Sequence, residues 1–427
     1  MTRRNRTTRP RRTEALEPRD VVIRIDKVVA EGDGLARLDD GRVVFVEGGL
    51  PGEKVRARIV RQSRDYARAV AEEVLEAHDQ RVEPPCIYVR AGCGGCDLQH
   101  ASLSLQAQIK HDIVAESLVR LGKISDPEVQ GYVPLTNSEA LASPDQSVLD
   151  ARALRTTLRV VGNDEGRPGF RRRRSHDVVA IDHCLVAHEG INSVLASLRL
   201  ETGHEAIVRV GNSSGELVVR TDLSTEIGGE VPRESTSSKA VIHETVSGFD
   251  FTVSAQSFFQ SSPAAAEDLV GAVRQVLGDP AQWPAGLIVD AYGGVGLFSA
   301  TVIPPERDAV LIEVSESSCG DAVFNLANRP VRIVQTPLES WTAEPAAIVI
   351  ADPPRDGLRA SAVEVLAATG AAIVVLVSCD PASLGRDARL LQAAGYRFSN
   401  ALVTGAFPHT HHVETVSRFN KITDVEI

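Results

Sequence analysis

The sequence predicts a three-part α/β protein: a small β-barrel, a central α+β segment and a C-terminal doubly wound parallel sheet. Three observations carry this. Five short strand-like runs crowd residues 21–75, with turn residues between them, the pattern of a small barrel. From about Phe249 strand-like and helix-like segments alternate, as they do where helices connect parallel strands. The chain has 427 residues, more than one ordinary domain.

Residues 1–18 are expected to be a basic, flexible tail. Arg3, Arg4, Arg6, Arg9, Arg11 and Arg12 lie there without an apolar core, so it is not a secretory signal. The barrel is assigned to 19–78. Its strands are read at 21–25, 34–38, 42–46, 54–60 and 70–75, with Asp39-Asp40-Gly41 and Leu50-Pro51-Gly52-Glu53 as turns. An oligonucleotide-binding barrel and a barrel without a nucleic-acid role fit this pattern equally.

The central part, 79–248, holds a cysteine cluster, a helix at 103–122 and a polar stretch at 137–150. Strands are read at 158–161, 178–181 and 206–210. The C-terminal part, 249–427, has buried strands at 286–290, 309–314, 331–335, 346–351 and 371–378. Runs at 397–404 and 412–419 lie close together, which predicts an antiparallel pair, and helices are read at 263–277 and 381–394.

The net charge of −11, from 57 acidic and 46 basic side chains, argues weakly against a polyanionic partner. The basic residues are clustered, however, in the tail and at Arg167 with Arg171, Arg172, Arg173 and Arg174. Together these make a local polyanion footprint plausible. Six cysteines are too sparse for a disulfide-stapled framework, and no apolar run approaches the ~20 residues needed to span a bilayer. A cytoplasmic enzyme that does not engage membranes, and that works as a monomer, is expected.

Four motifs fall at predicted strand ends. Asp290-Ala291-Tyr292-Gly293-Gly294-Val295-Gly296 is a Gly-rich turn that lets a cofactor approach the backbone, and Glu313 ends the next strand, where an acid can hold ribose hydroxyls. Ser299 stands where a nicotinamide fingerprint needs its third glycine. A tight packing turn explains such a run as well. Asp352-Pro353-Pro354-Arg355 is a rigid strand exit aimed at the cleft. Ser378-Cys379-Asp380-Pro381 puts a cysteine before a helix, whose N-terminus is expected to lower the thiol pKa. In Phe407-Pro408-His409-Thr410-His411-His412-Val413-Glu414 the histidines invite a metal reading, but neighbours in extended chain face opposite ways. A structural role ranks above it.

These motifs, with Phe258-Phe259-Gln260 before them and His412-Val413-Glu414-Thr415-Val416 at the end, resemble the S-adenosylmethionine-dependent RNA uracil-C5 methyltransferases. Gly48-Gly49-Leu50-Pro51-Gly52-Glu53-Lys54-Val55 is similar to that family's TRAM domain. The resemblance implies a class I methyltransferase sheet behind an OB-like TRAM barrel. It also implies a cysteine nucleophile, Cys379, that adds to uracil C6, and a base, Glu414, that removes the C5 proton. Cofactor contacts would fall on Gln260, Tyr292, Glu313 and Asp352.

Cys86, Cys93 and Cys96, with the distant Cys184, suit a four-thiolate site, and spacing alone allows zinc or an iron–sulfur cluster. The run Cys93-Gly94-Gly95-Cys96-Asp97-Leu98-Gln99-His100 resembles the [4Fe–4S] segment of the family's cluster-bearing branch, which favours the cluster over zinc and 23S rRNA over tRNA as substrate. Cys319 matches nothing and reads as a packing residue. The chain departs from the family at Gly293, where a cysteine is usual, at Leu297 for a polar residue and at Asp380 for an asparagine. The gap between Cys86 and Cys93 is also one residue longer. An RNA-binding or ribosome assembly factor without catalysis is the reading of another class, and intact Cys379, Glu414 and Asp352 speak against it.

Overall fold

The computed structural model describes residues 19–132, 154–212, 214–221, 236–237 and 239–422. The arginine tail and the polar stretch at 137–150 lie outside the described residues. The chain forms two compact units, 1–83 and 84–427.

In the first unit, inward Val, Ile and Ala alternate with outward Arg and Glu, and that alternation makes strands. They are β1 (Arg19–Arg24), β2 (Lys27–Val28), β3 (Gly34–Arg37), β4 (Val43–Glu47), β5 (Lys54–Gln62) and β6 (Tyr66–Glu76), in the sheet order β1-β5-β6-β4-β3-β2. The two edge strands, β1 and β2, are separated in the chain by Ile25 and Asp26 alone, so the sheet must curl back on itself. Ile25, Val44, Val46, Val55, Ala57 and Ala67 fill its interior. The buried Glu53 fastens the 50–53 turn by accepting from Leu50 N at 2.9 Å, His78 N at 3.1 Å and Arg81 Nε at 2.6 Å. Burial opposes its charge, yet these donors hold its carboxyl below the usual range.

Two details differ from the sequence reading. The two-residue β2 is too short to show alternation. The run read at 70–75 is the end of an eleven-residue strand, because register shifts between β5 and β6 interrupt the period of two.

The second unit opens with α1 (Ile87–Arg90), α2 (Leu103–Arg120) and β7 (Val129–Gly131). Next come β8 (Thr157–Gly162), β9 (Pro168–Arg171), β10 (Val178–Ala180), α3 (Glu189–Leu195), β11 (Glu205–Val210) and β12 (Leu217–Thr221). These strands form a sheet ordered β10-β9-β8-β11-β12, with α3 packed on Leu158, Val160 and Val208. A hairpin of β13 (Val241–Val246) and β14 (Phe249–Ser254) straddles residue 248, and both strands pack with the helix that follows.

The remaining elements are α4 (Pro263–Leu277), β15 (Ile288–Ala291), α5 (Leu297–Thr301), β16 (Ala309–Glu313), α6 (Glu316–Asn325) and β17 (Val331–Gln335). They continue with β18 (Ile348–Ala351), α7 (Arg359–Ala368), β19 (Ile373–Ser378), α8 (Pro381–Ala393), β20 (Tyr396–Val403) and β21 (Thr415–Lys421). The sheet order is β17-β16-β15-β18-β19-β21-β20-β7. Ile288, Ile350 and Val375 join one core with α4, while Val289, Val349 and Val374 join the other with α2, α7 and α8. A strand buried on both faces has to be apolar throughout, which is why these runs were legible. The doubly wound α/β class and the antiparallel end pair are as expected. The edge strand β7 is supplied from the central part, and β21 starts three residues later than read. Among the described residues no helix is long and apolar enough to cross a membrane.

Helix α2 lies across α8, and Gly385 marks the closest approach. A Cβ there would sit 2.6 Å from Ser117 O and 2.8 Å from Leu121 Cβ. Gly385→Ala gains about 1 kcal/mol of helix propensity but forces two backbones apart, which costs about 1–3 kcal/mol. The expected net result is a lower thermal midpoint, read by calorimetry; an unchanged or raised midpoint would contradict the close packing.

Candidate active site

The parallel strands β15, β16, β18 and β19 all end at one edge of the sheet. Chain order reverses between β15 and β18, where open α/β sheets form their ligand crevice. Register makes the rim specific. Ala291 lies opposite Ala351, which lies opposite Leu376, and Tyr292 and Asp352 directly follow their strands. Strand β21 runs the other way, so its first residue belongs to the same rim: Thr415 pairs with Ser378. Cys379 follows Ser378 and Glu414 precedes Thr415. One antiparallel register thus brings together two residues 35 positions apart in sequence.

The turn after β15 holds Tyr292 at φ +60°, unusual for a side chain of that size. A Cβ on Gly293 would meet Leu311 Cγ at 2.5 Å, so no cysteine fits here beside Leu311. Glu313 braces the turn: it accepts from Gly294 N at 3.0 Å, Val314 N at 2.8 Å and Ser315 N at 2.7 Å. Asp290 is fully buried. One of its oxygens accepts from Ser299 N at 3.0 Å and Ser299 Oγ at 2.6 Å, while the other has no partner. Ser299, the residue that spoils a nicotinamide fingerprint, is therefore a ligand of Asp290.

Negative groups crowd the rim. Burial pushes Asp290 up to about 6, and burial with the charge of Asp290 pushes Asp352 up to about 7. Burial and Asp352 hold Glu414 well above the carboxylate range. The half-buried Cys379 is pushed up to about 11, first by burial and then by Glu414 and Asp352, with Arg355 opposing. This overturns the expectation that the helix N-terminus lowers it. The Asp380 side chain caps α8 by accepting from Ser383 N at 2.7 Å, and desolvation beside two carboxyls outweighs the helix end.

Gln260 lies in the loop between β14 and α4, half-buried beside the buried Phe259. The loop is tied down by Thr156 N to Ser261 O (2.9 Å), Arg209 Nη1 to Ser257 O (2.9 Å), and Ser257 Oγ to Ser317 Oγ on α6 (2.8 Å). The last contact joins it to the helix that begins just after Glu313.

The histidine run is structural. His409 is buried, His411 pairs with Asp97, and the Arg355 guanidinium donates to the His412 ring. Burial, His411 and Arg355 push His412 down to about 4. Asp97, Arg355 and Lys110 were missed as site-supporting residues. The first and last lie about 300 residues from the loop they hold, which no local pattern records.

Cys86, Cys93, Cys96 and Cys184 line one pocket with Tyr88, Gln99, Arg155 and Phe170. All four are half-buried free thiols, and burial raises Cys93 to about 11, Cys96 to about 12 and Cys184 as well. The donor set is that of a thiophilic metal or cluster. Among the described residues, no three His, Cys, Asp or Glu side chains are grouped as a metal site. Cys93 bridges to Arg172, and Gly94 N donates to Arg171 O at 3.0 Å, so the cysteine loop is stitched to the basic loop. That basic loop is less free than its sequence suggests: Arg171 pairs with Glu205 at 2.8 Å and Arg173 approaches Asp97 at 3.7 Å. The buried Cys319 packs below Glu313, whose carbonyl accepts its S–H at 3.5 Å.

A Gly-rich turn, an acid on the next strand and an acidic rim thus meet at the switch point of a doubly wound α/β sheet. The TRAM domain family model matches residues 19–71. An RNA methyltransferase of Streptomyces avermitilis is 33% identical over 431 residues, covering 92% of this chain and 96% of its own. The 23S rRNA (uracil(1939)-C(5))-methyltransferase RlmD of Halomonas elongata is 30% identical over 437 residues, covering 92% and 88%. The crystal structure of Pyrococcus abyssi tRNA (uracil-54, C5)-methyltransferase in complex with S-adenosyl-L-homocysteine superposes with a TM-score of 0.67 at 22% identity, covering 94% of this chain and all of that one. The chain belongs to the RNA methyltransferase family, and it is an enzyme of that class.

With its pKa near 11, Cys379 in the free protein is a protonated thiol at neutral pH. Its alkylation by iodoacetamide, followed by mass spectrometry, should be slow at neutral pH and rise about tenfold per pH unit into the alkaline range. A rate that levels off by about pH 8 would mean a thiol near its ordinary value.

Proposed function

We propose that this protein transfers the methyl group of S-adenosylmethionine to C5 of a uridine in RNA, with 23S rRNA the favoured substrate. The observation that carries the reading is the Ser378–Thr415 pairing, which sets Cys379 and Glu414 side by side at the cofactor end of the sheet. The Halomonas relative supports the rRNA substrate, and the TRAM match supports RNA as partner.

Uracil C5 is a weak nucleophile, and a thiolate can activate it. The Cys379 thiol loses its proton to solvent water, and the resulting thiolate bonds to C6, moving the C5–C6 π electrons toward C5 and O4. S-adenosylmethionine supplies the methyl cation equivalent, which C5 takes as the sulfonium–methyl bond breaks and S-adenosylhomocysteine is left. Glu414 then accepts the C5 proton. The electrons of the C5–H bond restore the C5–C6 double bond, and the C6–S bond breaks to return the Cys379 thiolate. Burial that raises the Glu414 pKa makes its carboxylate a stronger base than one in water.

Gln260, Tyr292, Glu313 and Asp352 would hold the cofactor. The acidic rim suits a cationic ligand and repels phosphate, so the target base must be turned out of the RNA to reach it while the backbone is held elsewhere. The barrel and the central part, assigned to 19–78 and 79–248, take that role. Cys86, Cys93, Cys96 and Cys184 would ligate a structural [4Fe–4S] cluster, with zinc the alternative on the same thiols. The sparse cysteines favour a cytoplasmic location, and a monomer is the expected form.

Purified protein, methyl-labelled S-adenosylmethionine and RNA from a strain lacking the gene should yield labelled 5-methyluridine in 23S rRNA. Label in tRNA would move the substrate, and absence of label would favour an RNA-binding factor. Cys379→Ala should abolish methylation with cofactor binding retained. Glu414→Gln should slow turnover about 10²–10⁴-fold and accumulate a covalent protein–RNA adduct; rapid release of methylated RNA would contradict the base role. Anaerobically purified protein should be brown with about four irons per chain, whereas stoichiometric zinc would refute the cluster.

A further inference from the structure

Glu414 sits at the end of a long excursion from the sheet. Strands β20 and β21 part after the Val403–Thr415 pair, and the chain between them, 404–414, has no strand partner. Thr404 N donates to Glu414 O at 2.9 Å and closes its base. His409 stands at φ +67°, a conformation a loop keeps only where its surroundings hold it.

The hold comes from residues 97–110. Leu98 N donates to His409 O at 2.9 Å, His409 N to Gln106 Oε1 at 2.7 Å, and Lys110 Nζ to Phe407 O at 2.6 Å. Of these contacts from residues 97–110, the one nearest to Glu414 in the chain is at Asp97. Its side chain, 7% exposed, uses both oxygens on one residue: Oδ1 accepts from His411 N at 2.8 Å and Oδ2 pairs with His411 Nδ1. Backbone and ring of His411 are thereby fixed together, three residues before Glu414. The remaining neighbour, Arg173, stands 3.7 Å from Oδ2 and keeps the carboxylate in place.

We infer that Asp97 is a positioning residue for methyl transfer, holding through His411 the loop that presents Glu414 to the Cys379 adduct. The inference rests on Glu414 being the base. Asp97 touches none of the reacting atoms. It acts by fixing where the base stands, and a displacement of about 1 Å in such a group can cost about 100-fold in rate.

The test compares Asp97→Ala, His411→Ala and the conservative Asp97→Asn with Glu414→Gln, on uridine-containing rRNA with S-adenosylmethionine. Readouts are turnover, cofactor affinity and the covalent adduct seen on a denaturing gel. Asp97→Ala and His411→Ala should lose about 100-fold in kcat, keep the KM for S-adenosylmethionine, and accumulate the adduct as Glu414→Gln does. Asp97→Asn keeps an acceptor for His411 N and should recover most of the rate. Wild-type turnover without adduct in Asp97→Ala would overturn the inference, as would joint loss of adduct formation and cofactor binding, the mark of a purely structural role. If Glu414→Gln itself traps no adduct, the base assignment fails with it; if it does and Asp97→Ala does not, only the positioning role falls.

Discussion

The site depends on one antiparallel strand inserted in a parallel sheet. Because β21 runs against β19, its beginning lies at the edge where the parallel strands finish, so residues before it join residues after them. A slip of one position would exchange the residues that its two buried faces present to the two cores, and a slip of two would carry Glu414 roughly 7 Å from Cys379. The register is held by packing. Val416 and Phe419 are fully buried in the two opposite cores of the sheet, with Val375 and Val377 on one side and Val374 and Leu376 on the other. Core packing and the placement of Glu414 beside Cys379 are the same constraint here.

That placement concentrates acids where little water can screen them. Asp290, Asp352 and Glu414 all carry pKa values raised by burial, with Glu313 adding at Asp290, Asp290 at Asp352 and Asp352 at Glu414. An acid whose folded pKa exceeds its unfolded one binds more protons when folded, so its contribution to stability falls as pH rises through that interval. For Asp352 the interval runs from the ordinary 3.8 to about 7. At neutral pH these acids place the rim under electrostatic stress that a bound cation would relieve, and the same field disfavours phosphates. The field suits a positively charged cofactor, and on the proposed function it would leave room for one extruded neutral base.

Much of this was legible in the sequence because it is local. Strands β15, β16, β18 and β19 are short, mainly apolar runs bounded by turns, and Tyr292, Asp352 and Cys379 follow three of them directly. Strand β17, read as buried at 331–335, is instead a part-exposed edge strand. What was not legible was either short or distant. The two residues of β2 and three of β7 carry no periodicity, and a bulged ladder blurred the start of β6. The Cys379 thiol was misjudged because a helix N-terminus is a local feature, whereas Glu414 and Asp352 arrive from other strands. Asp97 and His411 are separated by 314 positions, and only the fold introduces them.

The central segment then takes a more specific meaning than a basic patch. Arg171 and Arg173 are engaged with Glu205 and Asp97, and the neighbouring backbone is bonded to the cysteine loop at Gly94. Arginines committed in this way shape a surface more than they supply free charge to it. Asp97 directly follows Cys96, one of the four thiols around the pocket, and its carboxylate reaches both Arg173 and His411. A group bound by those thiols would stiffen the chain on one side of Asp97, while the Glu414 loop leans on the other. On the proposed function, the four cysteines would then act mechanically, fixing the anchor against which the Glu414 loop is set, with no electron transfer needed.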